Sequence, residues 1–208
     1  MKVDGNKFRQ ARFVRFLKLA DRQPSGRPVR IIDVGGTRSY WEAFRSQWED
    51  RQFKITIVNL DPEPYEDEVY TIRRGNACAL PEYGDNSFDI VHSNSVIEHV
   101  GQWKNMQAMA GEIRRLAPSY FVQTPNIWFP VEPHYRTAFI HWLPEPVRAS
   151  MLLRKKRGFL SAGSLDEAMH NVQDINLLSA GQMAFLFPDA AIERERIALL
   201  TKSIIAIK

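Results

Sequence analysis

The stretch that most constrains this chain is Val29-Arg30-Ile31-Ile32-Asp33-Val34-Gly35-Gly36-Thr37-Arg38-Ser39-Tyr40-Trp41. A short apolar run closes on an acidic residue and two glycines, then passes into a segment able to start a helix. A parallel α/β domain begins this way, with a buried first strand, a tight turn and a helix whose N-terminus faces a ligand. The acidic side chain at the strand end can accept from a ligand ammonium or from turn amides, and the glycines admit a ligand close to the backbone. The same residues would also suit a plain turn after a core strand. The dinucleotide reading needs G-x-G-x-x-G here, and Gly35-Gly36-Thr37-Arg38-Ser39-Tyr40 does not supply it.

The rest of the chain extends that beginning. With 208 residues, a single domain over 1–208 is expected. Val29–Val34, Ile55–Leu60, Val69–Arg73, Phe88–Ser93 and Tyr120–Gln123 read as five strands, with helices over Ser39–Trp48 and residues 102–117 between them. Residues 62–68, acidic and proline-containing, read as a loop. After Asn126 the pattern changes: residues 127–177 are rich in aromatics, Pro and His and read as an inserted cap of helices and loops. A helix at about 178–187 follows, and Ile192–Leu199 with Ser203–Lys208 reads as an antiparallel hairpin joined too tightly for a parallel crossover. The expected fold is α/β: a Rossmann-like, doubly wound, seven-stranded sheet, mostly parallel, with a C-terminal antiparallel hairpin and a helical cap insertion after strand five.

Residues 1–28 form a basic leader. Nine Lys and Arg against two Asp give residues 1–30 a charge of +7 in a chain whose net charge is +4, so the remainder is slightly acidic. Residues 6–22 read as an amphipathic helix, with Phe8, Phe13, Phe16, Leu17 and Ala20 on one stripe and Arg9, Arg12, Arg15, Lys18 and Arg22 on other faces. The helix either packs on the body with a solvated basic face or lies on an anionic membrane surface through residues 7–22. The single Cys78 excludes an internal disulfide, and no apolar run approaches the roughly 20 residues of a membrane span. A cytoplasmic protein, peripheral to a membrane if the helix binds one, is the expectation.

Asn76-Ala77, Leu80-Pro81, Asp85-Asn86-Ser87-Phe88-Asp89-Ile90-Val91 and Ser95-Val96-Ile97-Glu98-His99-Val100, in this order, resemble the class I S-adenosylmethionine-dependent methyltransferases, in particular their small-molecule branch. The resemblance covers roughly residues 29–126, and the closing hairpin extends it. It implies S-adenosyl-L-methionine as cofactor. Asp33, Gly35, Gly36 and Thr37 would hold the methionine portion, Asn59, Leu60 and Asp61 the ribose, Asn76 and Ala77 the adenine, and Ser93, Asn94 and Ser95 the region near the sulfonium. Asp61 is preferred over Asn59 for the ribose hydroxyls because it is the carboxylate. An acceptor amide oxygen on Asn76 would take the adenine amino group, unless Asn76 satisfies its own turn. The chain departs from the family by lacking the second spaced glycine and by carrying Asn at positions 59 and 76.

Thr124-Pro125-Asn126 through Pro130-Val131-Glu132-Pro133-His134, followed by His141-Trp142-Leu143-Pro144, resembles a bacterial branch of the same family for which no substrate follows. Methyl transfer needs an aligned nucleophile, and an oxygen nucleophile gains from a base or a metal. Glu98-His99 and Glu132–His134 both leave carboxyl ends of strands and can converge there. His134 or His99 as general base with Glu132 orienting is one reading. A divalent metal on Glu98, His99, Glu132 and His134 is a second. A third has Glu98 capping a helix and Glu132–His134 stiffening a loop. Lys155 and Arg157 either hold an anionic substrate or lie solvated.

These residues point to methylation of oxygen on a small-molecule, sugar-linked or lipid-precursor acceptor. The alternatives are a cofactor-binding protein with weak or no catalysis and a nucleic-acid methyltransferase; the latter lacks the N/D-P-P-Y motif used on flipped bases.

Overall fold

The computed structural model describes residues 7–208. Its centre is one eight-stranded sheet in the order β3-β4-β2-β1-β5-β6-β8-β7. The strands are β1 (Val29–Val34), β2 (Phe53–Asn59), β3 (Tyr65–Glu66), β4 (Tyr70–Arg74), β5 (Ile90–Asn94), β6 (Ser119–Pro125), β7 (Ala191–Ile197) and β8 (Leu200–Ile207). Strands β4, β2, β1, β5 and β6 run parallel, and β8 and β7 close the sheet antiparallel. The expected doubly wound sheet and its closing hairpin are therefore both present.

The eighth strand lies in the segment expected to be a loop. Tyr65 and Glu66 pair antiparallel with Ile72 and Thr71. Asp67 makes the turn by accepting from the amides of Val69 and Tyr70 at 2.8 and 2.6 Å, and Arg38 lies over the Tyr65 ring, 4.1 Å from its centroid. Helix one is also shorter than expected, with α2 spanning Arg38–Glu42 and a 3-10 turn following at Arg45–Gln47. The Trp41 carbonyl, which a continuing α-helix would reserve for Arg45, instead accepts from the Trp48 indole at 3.0 Å.

Alternation along the strands decides what each face of the sheet holds. Ile32, Val34 and Val91 meet α3 (Trp103–Leu116), whose Met106, Met109, Ala110, Ile113 and Leu116 recur at helical spacing. Ile31, Ile90 and Phe121 meet the opposite layer, built from Phe13, Phe16, Trp41, Phe44 and Trp48. Asp33 and His92 share the side of Ile31 and Ile90, so these two polar groups enter an aromatic layer. The cap holds α4 (Glu145–Arg154) and α5 (Leu165–Gln173) around its own small core of Tyr135, Ile140, Ala149, Leu152, Ala168 and Val172. The last helix, α6 (Ala180–Leu186), returns to the sheet, with Met183 and Leu186 in the α3 layer.

The first helix, α1 (Lys7–Ala20), packs on the body, one of the two readings of its sequence, and corrects the placing of Arg12; the leader's residues 1–6 lie outside the described residues. Its apolar stripe is spent inside the protein, with Phe13 and Phe16 fully buried, so it does not present that stripe to lipid. Arg12, assigned to a basic face, is buried too. It lies one helical turn after Phe8 and one before Phe16, and so shares their side of the helix. Its guanidinium donates to Glu195 Oε2 at 2.8 Å, Gln123 Oε1 at 2.7 Å and Asn94 Oδ1 at 3.1 Å. No helix among the described residues is long and apolar enough to cross a membrane.

Candidate functional site

The sheet order reverses direction between β1 and β5, the position at which open parallel sheets bind ligands beyond their carboxyl ends. A cavity of about 430 Å³ opens there, lined by Gly35, Asn59, Leu60, Asn76, Ala77, Ser95, Val96 and His99 among others. Its size suits a small-molecule ligand. A second cavity, of about 260 Å³, shares Gly35 and is lined by Arg9, Asp33, Gly36, Thr37, Tyr40, His92 and Asn94.

Two glycines form the ridge between them. Gly35 has a φ of +77°, and a Cβ there would lie 2.5 Å from the Val96 side chain; a Cβ on Gly36 would lie 1.7 Å from Asp33 Oδ2. The carboxylate that forbids a side chain at Gly36 is itself fixed. Asp33 is buried, accepting from the Trp41 indole at 2.7 Å and pairing with His92 Nδ1 at 2.7 Å. The His92 ring stacks on Tyr40 and Phe121. Asp33 therefore shapes the turn from beneath while lining the smaller cavity.

Each of the other expected cofactor residues has a definite place. Thr37 caps α2 by position and exchanges a hydroxyl contact with Ser39. Asn59 donates to the Gly35 and Gly36 carbonyls at 3.4 and 3.2 Å, while its Oδ1 accepts from the Leu60 amide. Asp61 is exposed and lines a different cavity, with Pro62, Glu63 and Tyr65. That cavity is also lined by Gly36, Thr37 and Asn59, so Asn59, at the end of β2, lies on both cavities and Asp61 on this one alone. Asn76 lines the large cavity, but its Oδ1 accepts from the Cys78 amide at 3.0 Å, so the end left over is the Nδ2 donor. Ser93 is fully buried, gives its hydroxyl to the Val34 carbonyl at 3.0 Å and lines neither cavity. Asn94 lines the smaller cavity and Ser95 the larger, Ser95 with a φ of +58° and its hydroxyl on Gln123.

The two candidate catalytic segments converge. His99 on the cavity wall lies with its Nε2 3.1 Å from His134 Nε2. Glu132 is buried, accepts from the His134 and Tyr135 amides at 2.7 Å each, and takes the His134 Nδ1 hydrogen bond. His99 Nδ1 donates to the Asp174 carbonyl at 3.0 Å. A carbonyl and a carboxylate only accept, so each ring carries its hydrogen on Nδ1 and presents Nε2 to the other. Two bare lone pairs do not face each other at that distance, so the rings share a proton. Glu132 holds the His134 pKa above the usual histidine value against the opposing effect of burial. Burial and the His134 charge push His99 below it. The shared proton therefore resides on His134.

Glu98 makes no hydrogen bond to this relay, although its charge adds to the rise in the His134 pKa. It is fully buried, burial pushes its pKa up to about 7, and it accepts from the Thr124 hydroxyl at 2.9 Å, tying the β5 loop to the end of β6. With Glu98 turned to Thr124 and Glu132 committed to two amides, the four residues do not aim at one centre. Among the described residues no three His, Cys, Asp or Glu side chains form a group able to hold a metal ion. Sequence reading missed Arg9, His92 and the Asp174 carbonyl. Nothing in the chain order links His92 to Asp33 except the β1–β5 register. Lys155 is exposed, and neither it nor Arg157 lines these cavities.

Residues 35–119 match the family described as a methyltransferase domain. No curated protein matches the sequence. Among solved structures, phosphoethanolamine N-methyltransferase 2 of Haemonchus contortus in complex with S-adenosyl-L-methionine is 15% identical at a TM-score of 0.54, over 88% of this chain and 38% of that one. The DszA carbon methyltransferase is 12% identical at 0.56, over 97% and 52%. An O-methyltransferase family protein from Burkholderia thailandensis is 13% identical at 0.51, over 96% and 57%. The chain spans about two fifths to just under three fifths of these structures, and at such identities the likeness is one of fold. That fold is the class I S-adenosylmethionine-dependent methyltransferase fold, as the motifs implied.

Proposed function

We propose that this chain, a methyltransferase domain on the class I S-adenosylmethionine-dependent fold, methylates a hydroxyl oxygen of a small acceptor. The observation that carries the reading is the Glu132–His134–His99 relay ending on the wall of the larger cavity. A hydroxyl must lose its proton as the new bond forms, and the relay gives that proton a place to go.

The residues fit the cofactor. The glycine ridge leaves room for its backbone-hugging middle, Asn59 and Leu60 on the cavity wall would meet the ribose, and the Asn76 Nδ2 group can donate to an adenine ring nitrogen. Thr37 and Arg9 line the smaller cavity, where Arg9 would pair with the amino-acid carboxylate. When bound, S-adenosylmethionine supplies an electrophilic methyl whose bond to sulfur breaks as the bond to oxygen forms. Once the resting relay has lost its shared proton to solvent, His99 receives the acceptor hydroxyl, the hydroxyl proton passes into the space between the two Nε2 atoms, and Glu132 balances the resulting imidazolium. Ser95 and Asn94 keep the end of β5 in place through Gln123 and Arg12.

The test is transfer of a labelled methyl from S-adenosylmethionine to matched panels of small alcohols, phenols and amines. Methyl ethers as the labelled products are the expected result. Exclusively N-methylated products, or bound cofactor with no transfer to any panel, would overturn the oxygen assignment.

A further inference from the structure

A third cavity, of about 300 Å³, lies between the start of α3 and the cap, lined by Gly101, Trp103, Met106, Ile127, His141, Arg148, Ile175, Asn176, Leu177 and Gln182, of which Arg148 and His141 matter most. Arg148 Nε is buried without a hydrogen-bond partner, and so is His141 Nδ1. The rest of each group is accounted for. His141 Nε2 donates to the Ile127 carbonyl at 2.9 Å, with the Phe129 carbonyl also close to the ring, which leaves Nδ1 as the acceptor, and burial pushes the ring below the usual histidine pKa. Arg148 has Glu145 at 4.0 Å from Nη2, itself half exposed and held by Gln173, and the Arg148 charge also interacts with the buried Tyr135 hydroxyl, which lowers the tyrosine pKa against the larger effect of burial. An unfilled buried donor on a cation and an unfilled buried acceptor on the same cavity wall are both costly to leave empty.

The electrostatics point one way. The 14-residue helix α3 begins at this cavity with no side-chain cap and no acidic residue in its first turn. Its positive end therefore adds to Arg148. The cavity also abuts the relay: Ile175 and Asn176 directly follow Asp174, whose carbonyl holds His99, and the Asn176 amide donates to the Glu98 carbonyl at 2.8 Å. Residues 99–106 border both cavities, with His99, Val100 and Asn105 on the cofactor cavity and Gly101, Trp103 and Met106 on this one.

We infer that this cavity is the anchoring subsite of the acceptor and takes a small oxyanion bearing a hydrogen-bond donor, as a hydroxycarboxylate or a phosphate monoanion does. The oxyanion accepts from Arg148 Nε, and the ligand's own O–H donates to His141 Nδ1. This assignment rests on the methyltransferase reading for the word acceptor, but not for the binding itself. The basic run Arg154–Arg157 has no part in it.

The experiment titrates the full chain separately with inorganic phosphate, with glycolate and with glycerol as the uncharged control, following the indole proton of Trp103 by NMR. S-adenosylhomocysteine is titrated into a second portion of the same sample. Saturation by phosphate or glycolate but not by glycerol is expected, weakened about tenfold or more in Arg148→Gln and unchanged in Arg154→Gln on the same helix. Phosphate alone saturating identifies a phosphate acceptor, and glycolate alone a carboxylate one. No saturation by either anion up to about 20 mM, or equal binding by Arg148→Gln and the unmodified chain, overturns the subsite. The S-adenosylhomocysteine titration stands on different residues, so its failure would strike the methyltransferase reading and leave an anion-binding result intact.

Discussion

Arg12→Ala is expected to lower unfolding free energy by about 3–5 kcal/mol, the range for removing one partner of a buried ion pair. Glu195 is 3% exposed, its Oε2 depends on Arg12, and its Oε1 already has no partner. Without the guanidinium, a carboxylate would stand uncompensated between α1, β7 and β8, and Gln123 and Asn94 would each lose a donor. The double variant Arg12→Met, Glu195→Leu should recover most of the loss, because it removes both charges and keeps the volume. Urea unfolding of the three proteins measures this. A loss below about 1 kcal/mol for Arg12→Ala would mean that the network is wetter than its burial implies.

The second large effect is kinetic. His134→Ala should lower kcat by about 10²–10⁴-fold, the usual contribution of a positioned general base. Cofactor affinity should change little, since His134 does not line the cofactor cavity. The pH dependence has a definite sign. The relay accepts a proton only when the space between the Nε2 atoms is empty, so kcat/KM should rise with pH through the His134 titration. Glu132 raises that titration above the ordinary value of 6.5, and the rising limb should sit above it too. In Glu132→Gln the carboxylate no longer stabilises the imidazolium, so the limb should move to lower pH while the plateau falls. A limb that stays in place in Glu132→Gln would separate the carboxylate from the relay.

Much of this fold could be read in advance because its signals are local. The parallel strands β1, β2, β4, β5 and β6 show apolar runs closed by turn residues, and the hairpin shows period-two alternation with a turn too tight for a crossover. The two-residue β3 carries no such pattern and exists through Asp67 and Arg38. In the site, the sequence named both histidines and Glu132, but their roles depend on partners it does not order. The shared proton follows from the Asp174 carbonyl, 75 residues beyond His99. Asp33 lines the smaller cavity and is held there by His92, which only strand register brings to it. Asn76 lies where its motif implied, yet the Cys78 amide takes its oxygen and reverses its hydrogen-bonding sense. Arg12 was legible in principle, since its helical spacing from Phe8 and Phe16 set it on the apolar side despite its charge.

The central claim is that the paired cavities at Gly35 hold S-adenosylmethionine. Calorimetric titration of the full chain with S-adenosylhomocysteine tests it most directly, because binding is read without knowing the acceptor. One-to-one binding is expected, abolished in Gly35→Val, where a side chain would enter the turn against Val96, and retained in His134→Ala. Absence of binding at about millimolar ligand, or binding indifferent to Gly35→Val, would contradict it.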